Sequence, residues 1–222
     1  MNTHNRFTLT MICFGLLVAG GVLIKQTATS KEITQLPVER DYAQLNIAVK
    51  QVLEKMPSIS EELQSIRSDG KQSEAERQLD KLFSVKKTEF RMRVENNLTK
   101  KEHSPEFLKA MTEKETNRYI NALRMAKDVY GISVSQEEVT SYIDQNVSTV
   151  RNEEKRKYAE ALGLTLKELD YEFDRDFYVM AVLWEKLIPR IAEDYPKLEG
   201  EGEQAYWNRV KEEFFSLTEV EK

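Results

Sequence analysis

The stretch "GISVSQEEV", Gly131 to Val139, holds one helix end and one helix start. Glycine takes the left-handed conformation that closes a helix, and Ile132 follows where such an end places an apolar contact. Ser135 is an N-cap residue, and Glu138, three positions on, completes a capping box. Val134 and Val139 occupy the two positions of a hydrophobic staple. The stretch "GLTLKEL", Gly163 to Leu169, repeats the pattern with Gly163, Thr165, Glu168, Leu164 and Leu169. Because stop, cap, box and staple agree at both places, the chain around them is predicted to be helical.

Working outward, helical periodicity continues in both directions. Leu45, Val49, Val52, Leu53 and Met56 share one face before Pro57, which is expected to stop that helix. Ser58 and Glu61 form a capping box for a short helix through Ile66. "RSDGKQS" is a loop by composition. Ser73 and Glu76 open a helix carrying Leu79, Leu82, Phe83, Phe90, Val94 and Leu98 as far as Thr99. Ser104-Pro105 starts another, with proline at its first position, where the missing N–H costs little. Its apolar residues are Leu108, Met111, Tyr119, Leu123, Ala126 and Tyr130. The polar middle, "TEKETNR", leaves one helix or two open. A strong helix then carries Leu169, Phe173, Phe177, Met180, Ala181, Trp184 and Leu187, and Pro189 is expected to kink or end it. A Gly/Glu loop precedes a terminal amphipathic helix with Trp207, Val210, Phe214 and Leu217.

Composition agrees with an all-α fold. Only 8 glycines and 5 prolines punctuate 222 residues, too few for the turns of a sheet protein. The net charge of -5 comes from intermixed acidic and basic residues. No basic face is offered to nucleic acid. The single cysteine, Cys13, excludes an intramolecular disulfide.

Residues Phe7 to Ile24 contain no charge. As a helix they would span about 27 Å, close to the hydrocarbon thickness of a bilayer. Residues 1–25 therefore read as a transmembrane signal anchor. The alternative is a signal peptide cleaved near Ala28 to Ser30. Residues 26–40 form a polar linker, and 41–222 a helical domain placed outside the cytoplasm. A secreted product is the corresponding alternative.

Catalytic signatures are missing from the sequence. His4 and His103 are isolated, no cysteine lies beyond Cys13, and neither glycine-rich phosphate motif occurs. "DYEFDRD", Asp170 to Asp176, is the one dense carboxylate set. Asp170 and Asp174 lie one turn apart and could hold a hard cation. The preferred reading is a solvated face pairing with Arg175 or Lys167. No cofactor, metal site or catalytic residue is assigned.

"AKDVYGISVS" (Ala126 to Ser135) and "LGLTLKEL" (Leu162 to Leu169) carry a family resemblance. Over residues 80–190 the chain resembles the helical N-terminal module of the SurA-type and PrsA-type extracytoplasmic foldases. No segment resembles the parvulin domain those proteins usually add, so prolyl isomerase activity is not expected. The resemblance implies ATP-independent holding of unfolded or exported polypeptide segments at a membrane. Aromatic and methionine stripes suit that role, since they offer adaptable apolar contact. Tyr119, Leu123, Tyr142, Phe173, Phe177 and Trp184 are the candidate peptide-binding residues, with ordinary core as their other reading. The alternative function is a non-catalytic anchored interaction or structural subunit of an envelope, sporulation or secretion assembly. Nothing in the sequence sets the oligomeric state.

Overall fold

A computed structural model describes residues 42–68, 82–149 and 153–220. The membrane-anchor reading of residues 1–25, the linker and the Ser73/Glu76 capping box lie outside the described residues. Within them every regular element is helical, so the all-α class holds. No described helix is long and apolar enough to cross a membrane.

The elements are α1 (Tyr42–Lys55), α2 (Pro57–Ser68), α3 (Val85–Thr99), α4 (Pro105–Tyr130) and α5 (Gln136–Tyr142). A π-helical turn (Ile143–Val147) follows α5. Then come α6 (Glu153–Leu162), the single turn α7 (Leu166–Glu168), a second π-helical turn (Leu169–Phe173), α8 (Arg175–Asp194) and α9 (Glu203–Val220). They gather into two compact units. Among the described residues, the first takes 42–68, Phe90–His103 and those within Ile143–Asp174; the second takes 82–89, Ser104–Tyr142 and 175–220.

The first unit is built on α1, α2, most of α3, and α6. Val49, Ile59, Phe90, Val94, Leu169 and Phe173 are fully buried in its core. Phe90 and Phe173 meet edge to face with ring centroids 6.1 Å apart, an arrangement that suits the aromatic quadrupole. The second unit packs α4, α5, α8 and α9 around Val139, Val179, Leu183, Leu187, Val210 and Phe214, all 0% exposed.

Both helix junctions form. Gly131 sits at φ 66, ψ 19, and Gly163 at φ 68. At Gly163 the backbone makes the Schellman pair, with Gly163 N–H on the Glu160 carbonyl and Leu164 N–H on that of Ala159. The end at Gly131 is one residue wider, because Ile132 N–H reaches back to the Ala126 carbonyl. Both capping boxes are reciprocal. Glu138 N–H donates to Ser135 Oγ (3.2 Å) and Ser135 N–H to Glu138 Oε2 (2.8 Å). Thr165 and Glu168 repeat this at 3.1 and 2.7 Å. All four staple residues are buried.

Three sequence expectations are corrected and a fourth is narrowed. Pro57 is the first residue of α2, so Ser58 lies inside the helix rather than capping it. The helix ending at Thr99 begins at Val85; Lys87 N–H and Ser84 Oγ, 3.4 Å apart, mark its start. The helix opened by Thr165 runs only to Glu168, then widens into the π turn and breaks at Asp174 (φ -97, ψ 7) before α8. Of the two expectations at Pro189, the ending is excluded, since α8 continues to Asp194. Pro189 is exposed, as is Glu185, whose carbonyl loses its helical partner; water can replace that bond at such a face.

The open question in α4 resolves to one helix of 26 residues. Its polar middle is split: Thr112, Glu115, Thr116 and Arg118 are buried, whereas Glu113, Lys114 and Asn117 are exposed. The Thr112 hydroxyl donates to the Leu108 carbonyl. Thr116 Oγ1 lies 2.8 Å from the Thr112 carbonyl and 3.0 Å from Thr88 Oγ1. Back-bonding of this kind satisfies hydroxyls without breaking the helix.

Candidate functional site

Five of the six candidate residues fall in the second unit, and Phe173 in the first. Phe173 is fully buried against Phe90, with the Arg91 guanidinium 5.2 Å from its ring centroid. Tyr142 is also in core, 6.3 Å from Tyr178. Burial pushes the Tyr142 hydroxyl up to about 12, with Glu185 adding to the effect, so it stays neutral at ordinary pH. Leu123 and Phe177 are half-buried.

Tyr119 on α4 and Trp184 on α8 do come together, through a third helix. Phe215 of α9 lies 6.3 Å from Tyr119 and 5.3 Å from Trp184, edge-on to both. Phe214 lies 5.5 Å from Trp184 and 6.1 Å from Tyr130. Phe83 extends the row at 5.7 Å from Tyr119. The α4 and α8 faces thus make an aromatic groove, and the apolar stripe of α9 fills it.

That stripe differs from the one periodicity suggested. Tyr206, Val210, Phe214 and Phe215 are buried, whereas Trp207 is half-buried and Leu217 is 39% exposed. The adjacent pair Phe214-Phe215 rotates the buried face by one position.

The residues that sequence reasoning missed are the charges beside the aromatics. Arg118, 5% exposed, stacks on Phe215 with its guanidinium carbon 3.7 Å from the ring centroid. Its Nη2 donates to both Glu212 carboxylate oxygens, at 3.1 and 3.0 Å. Glu115, one turn before it on the same helix, lies 3.7 Å from Nη1. Lys211 Nζ is 5.4 Å from the Trp184 ring centroid, and burial lowers its ammonium pKa. Arginine in a desolvated aromatic setting is a strong anchor, combining stacking with a forked hydrogen bond. No sequence signal marks Arg118, because a helical charge reads as solvated until its long-range partner is known.

The "DYEFDRD" segment is a second correction. Its charges were expected on a wet face, yet Asp170, Asp174, Arg175 and Asp176 are 1–4% exposed. In the first unit Asp170 Oδ2 pairs with Lys155 Nζ at 2.7 Å, and Asp174 with Arg91 at 3.0 Å. Lys155 also donates to the Val147 carbonyl at 3.0 Å. One ammonium therefore ties the two π turns together, and the Tyr171 hydroxyl adds a bond to Asp144. In the second unit Asp176 faces Lys87 at 3.6 Å. Arg175 there donates to the side chain and carbonyl of Gln136 and to Thr140 Oγ1, at 2.8–3.1 Å. Asp170, Asp174 and Asp176 thus each face a cationic side chain. Among the described residues no three His, Cys, Asp or Glu side chains group as metal ligands.

Comparison with protein-family models, with curated proteins and with solved structures finds no match to this chain.

Proposed function

We propose that this protein is an anchored, extracytoplasmic, ATP-independent holder of apolar polypeptide segments, working without isomerase or other catalytic activity. The observation that carries the reading is the aromatic groove of α4 and α8. Tyr119 and Trp184 engage a helical segment through Phe214 and Phe215, with Arg118 and Lys211 beside them. Apolar recognition flanked by charge is the chemistry of helix-in-groove binding. The cap-and-staple pattern shared with SurA-type and PrsA-type modules supports the same reading. The uncharged run Phe7 to Ile24 supports tethering at a membrane.

The test uses the full chain in detergent micelles, mixed with a chemically denatured client diluted out of denaturant. Light scattering should fall with increasing protein and no nucleotide. Unchanged scattering at several-fold molar excess would sink the proposal. Crosslinked pulldowns add a second arm. Many clients support holding, whereas one dominant partner favours the anchored-subunit alternative.

A further inference from the structure

We propose that α9 is a built-in occupant of the α4/α8 groove, and that the clients it stands in for are amphipathic helices with adjacent aromatic residues just after a carboxylate. This rests on the holding function proposed above and names its substrate class and its regulation.

The contacts of α9 are those of a docked ligand helix. Tyr206, Val210 and Phe214 recur every four residues and are at most 5% exposed. Anchors at this spacing define the helix-in-groove mode. The sequence "EEFF", Glu212 to Phe215, presents one carboxylate to Arg118 and two rings to Tyr119, Tyr130 and Trp184.

Two features make this contact separable. First, Arg118 does not depend on α9 alone for its countercharge. Glu115 is within 3.7 Å on the same helix, so withdrawal of Glu212 leaves the guanidinium paired. A buried charge stripped of every partner would make undocking prohibitive; Glu115 removes that obstacle. Second, the polar contacts of the connecting loop run to α9 itself. Arg209 donates to Glu201 (2.8 and 2.9 Å) and to the Pro196 carbonyl (3.0 Å), and Lys197 pairs with Glu203 at 2.6 Å. These bonds travel with the helix. Gly200 at φ 74, and Gly202 with open space around it, lie in that connection. Meanwhile α8 retains its packing against α4 and α5.

A free groove would accept the same sequence supplied in trans. The probe is a fluorescein-labelled peptide of residues 203–220, titrated by fluorescence anisotropy. The full chain is compared with its Phe214→Ser/Phe215→Ser variant. Emptying a groove that α9 occupies nine-tenths of the time raises apparent affinity about tenfold. The variant should therefore bind the peptide at least about tenfold more tightly than the unmodified chain. A peptide carrying the same two serines should bind neither protein. Equal binding by the two proteins, with the helical circular dichroism of the variant intact, overturns the proposal. If that variant loses its helical signal, Glu212→Lys replaces it and is judged by the same two outcomes. Holding is scored separately. Client protection without a gain in peptide binding removes the α9 inference and leaves holding in place. A gain in peptide binding without client protection removes holding, and with it the client class, and leaves only α9 as the displaceable occupant of the groove.

Discussion

Lys155 and Asp170 lie 2.7 Å apart with both side chains 3% exposed, joining α6 to the π turn at Leu169–Phe173. Burial pushes the Asp170 carboxyl above its ordinary range, and Lys155 opposes that rise. Just above the ordinary carboxyl pKa, the folded state keeps a proton the unfolded chain releases. Rising pH through that window therefore lowers stability. Lys155→Met strands the carboxylate and should cost about 3–5 kcal/mol at neutral pH. Urea denaturation should show part of that loss recovered in mild acid. The double variant Lys155→Met/Asp170→Leu should recover most of it at neutral pH. A single variant as stable as the parent would refute the account.

Ser135 and Thr165 each satisfy a backbone N–H at a helix start. Replacing either by alanine should cost about 1 kcal/mol. Glu138 also pairs with Lys186 at 2.5 Å, and that bond, with the Ser135 amide, lowers its carboxyl pKa. A lowered carboxyl contributes stability that is present above the ordinary carboxyl range and lost as pH falls through the folded value. Glu138→Gln should therefore flatten the acid limb of a stability-against-pH curve.

Gly131 has no heavy atom within 4 Å of where a Cβ would stand, so space is not the constraint there. Its φ of 66 is. Gly131→Ala should cost about 1–2 kcal/mol through backbone strain alone. Gly131→Asn should cost less, since asparagine tolerates this region better. Thermal unfolding of the pair separates strain from crowding.

The Glu201 carboxyl is lowered to about 2, chiefly by Arg209, with the Leu198 amide adding. Its contribution to loop order is present above the ordinary carboxyl range and is lost only as pH falls toward 2. Carboxyl NMR should place its midpoint there, and Arg209→Gln should move it up toward the usual value.

Phe173→Ala should destabilise the first unit by about 3–5 kcal/mol, as for a buried aromatic truncated in a packed core. Under the proposed holding function, protein that still folds should protect clients as well as the parent, because the ring offers no exposed surface. Lost holding at full stability would return Phe173 to the binding site.

The junctions at Gly131 and Gly163 were legible because every partner lies within six residues. Local rules cannot see the rest. Asp170 is 15 residues from Lys155, Arg91 is 83 from Asp174, and Arg118 is 94 from Glu212. Periodicity assigns such charges to solvent, so it misread "DYEFDRD" and passed over Arg118. The same limit misplaced the start of α3, where Phe83 continues the apolar pattern across backbone that is not helical. Tyr119 and Trp184 were found as aromatics on apolar stripes. Their role beside α9 depends on which face Phe214 and Phe215 present, and only packing decides that.

The first unit draws on three separated stretches, ending with Ile143–Asp174. On the ribosome its core must wait for its last piece. Val49, Val52 and Ile59 emerge long before Leu169 and Phe173, the residues that complete their core. At ordinary translation speeds that interval is roughly ten seconds. For that time the α1–α2 segment presents an unfinished apolar surface, and no single cut in the chain releases either unit whole. Order of synthesis, as much as final stability, sets when this protein becomes safe from its own aggregation.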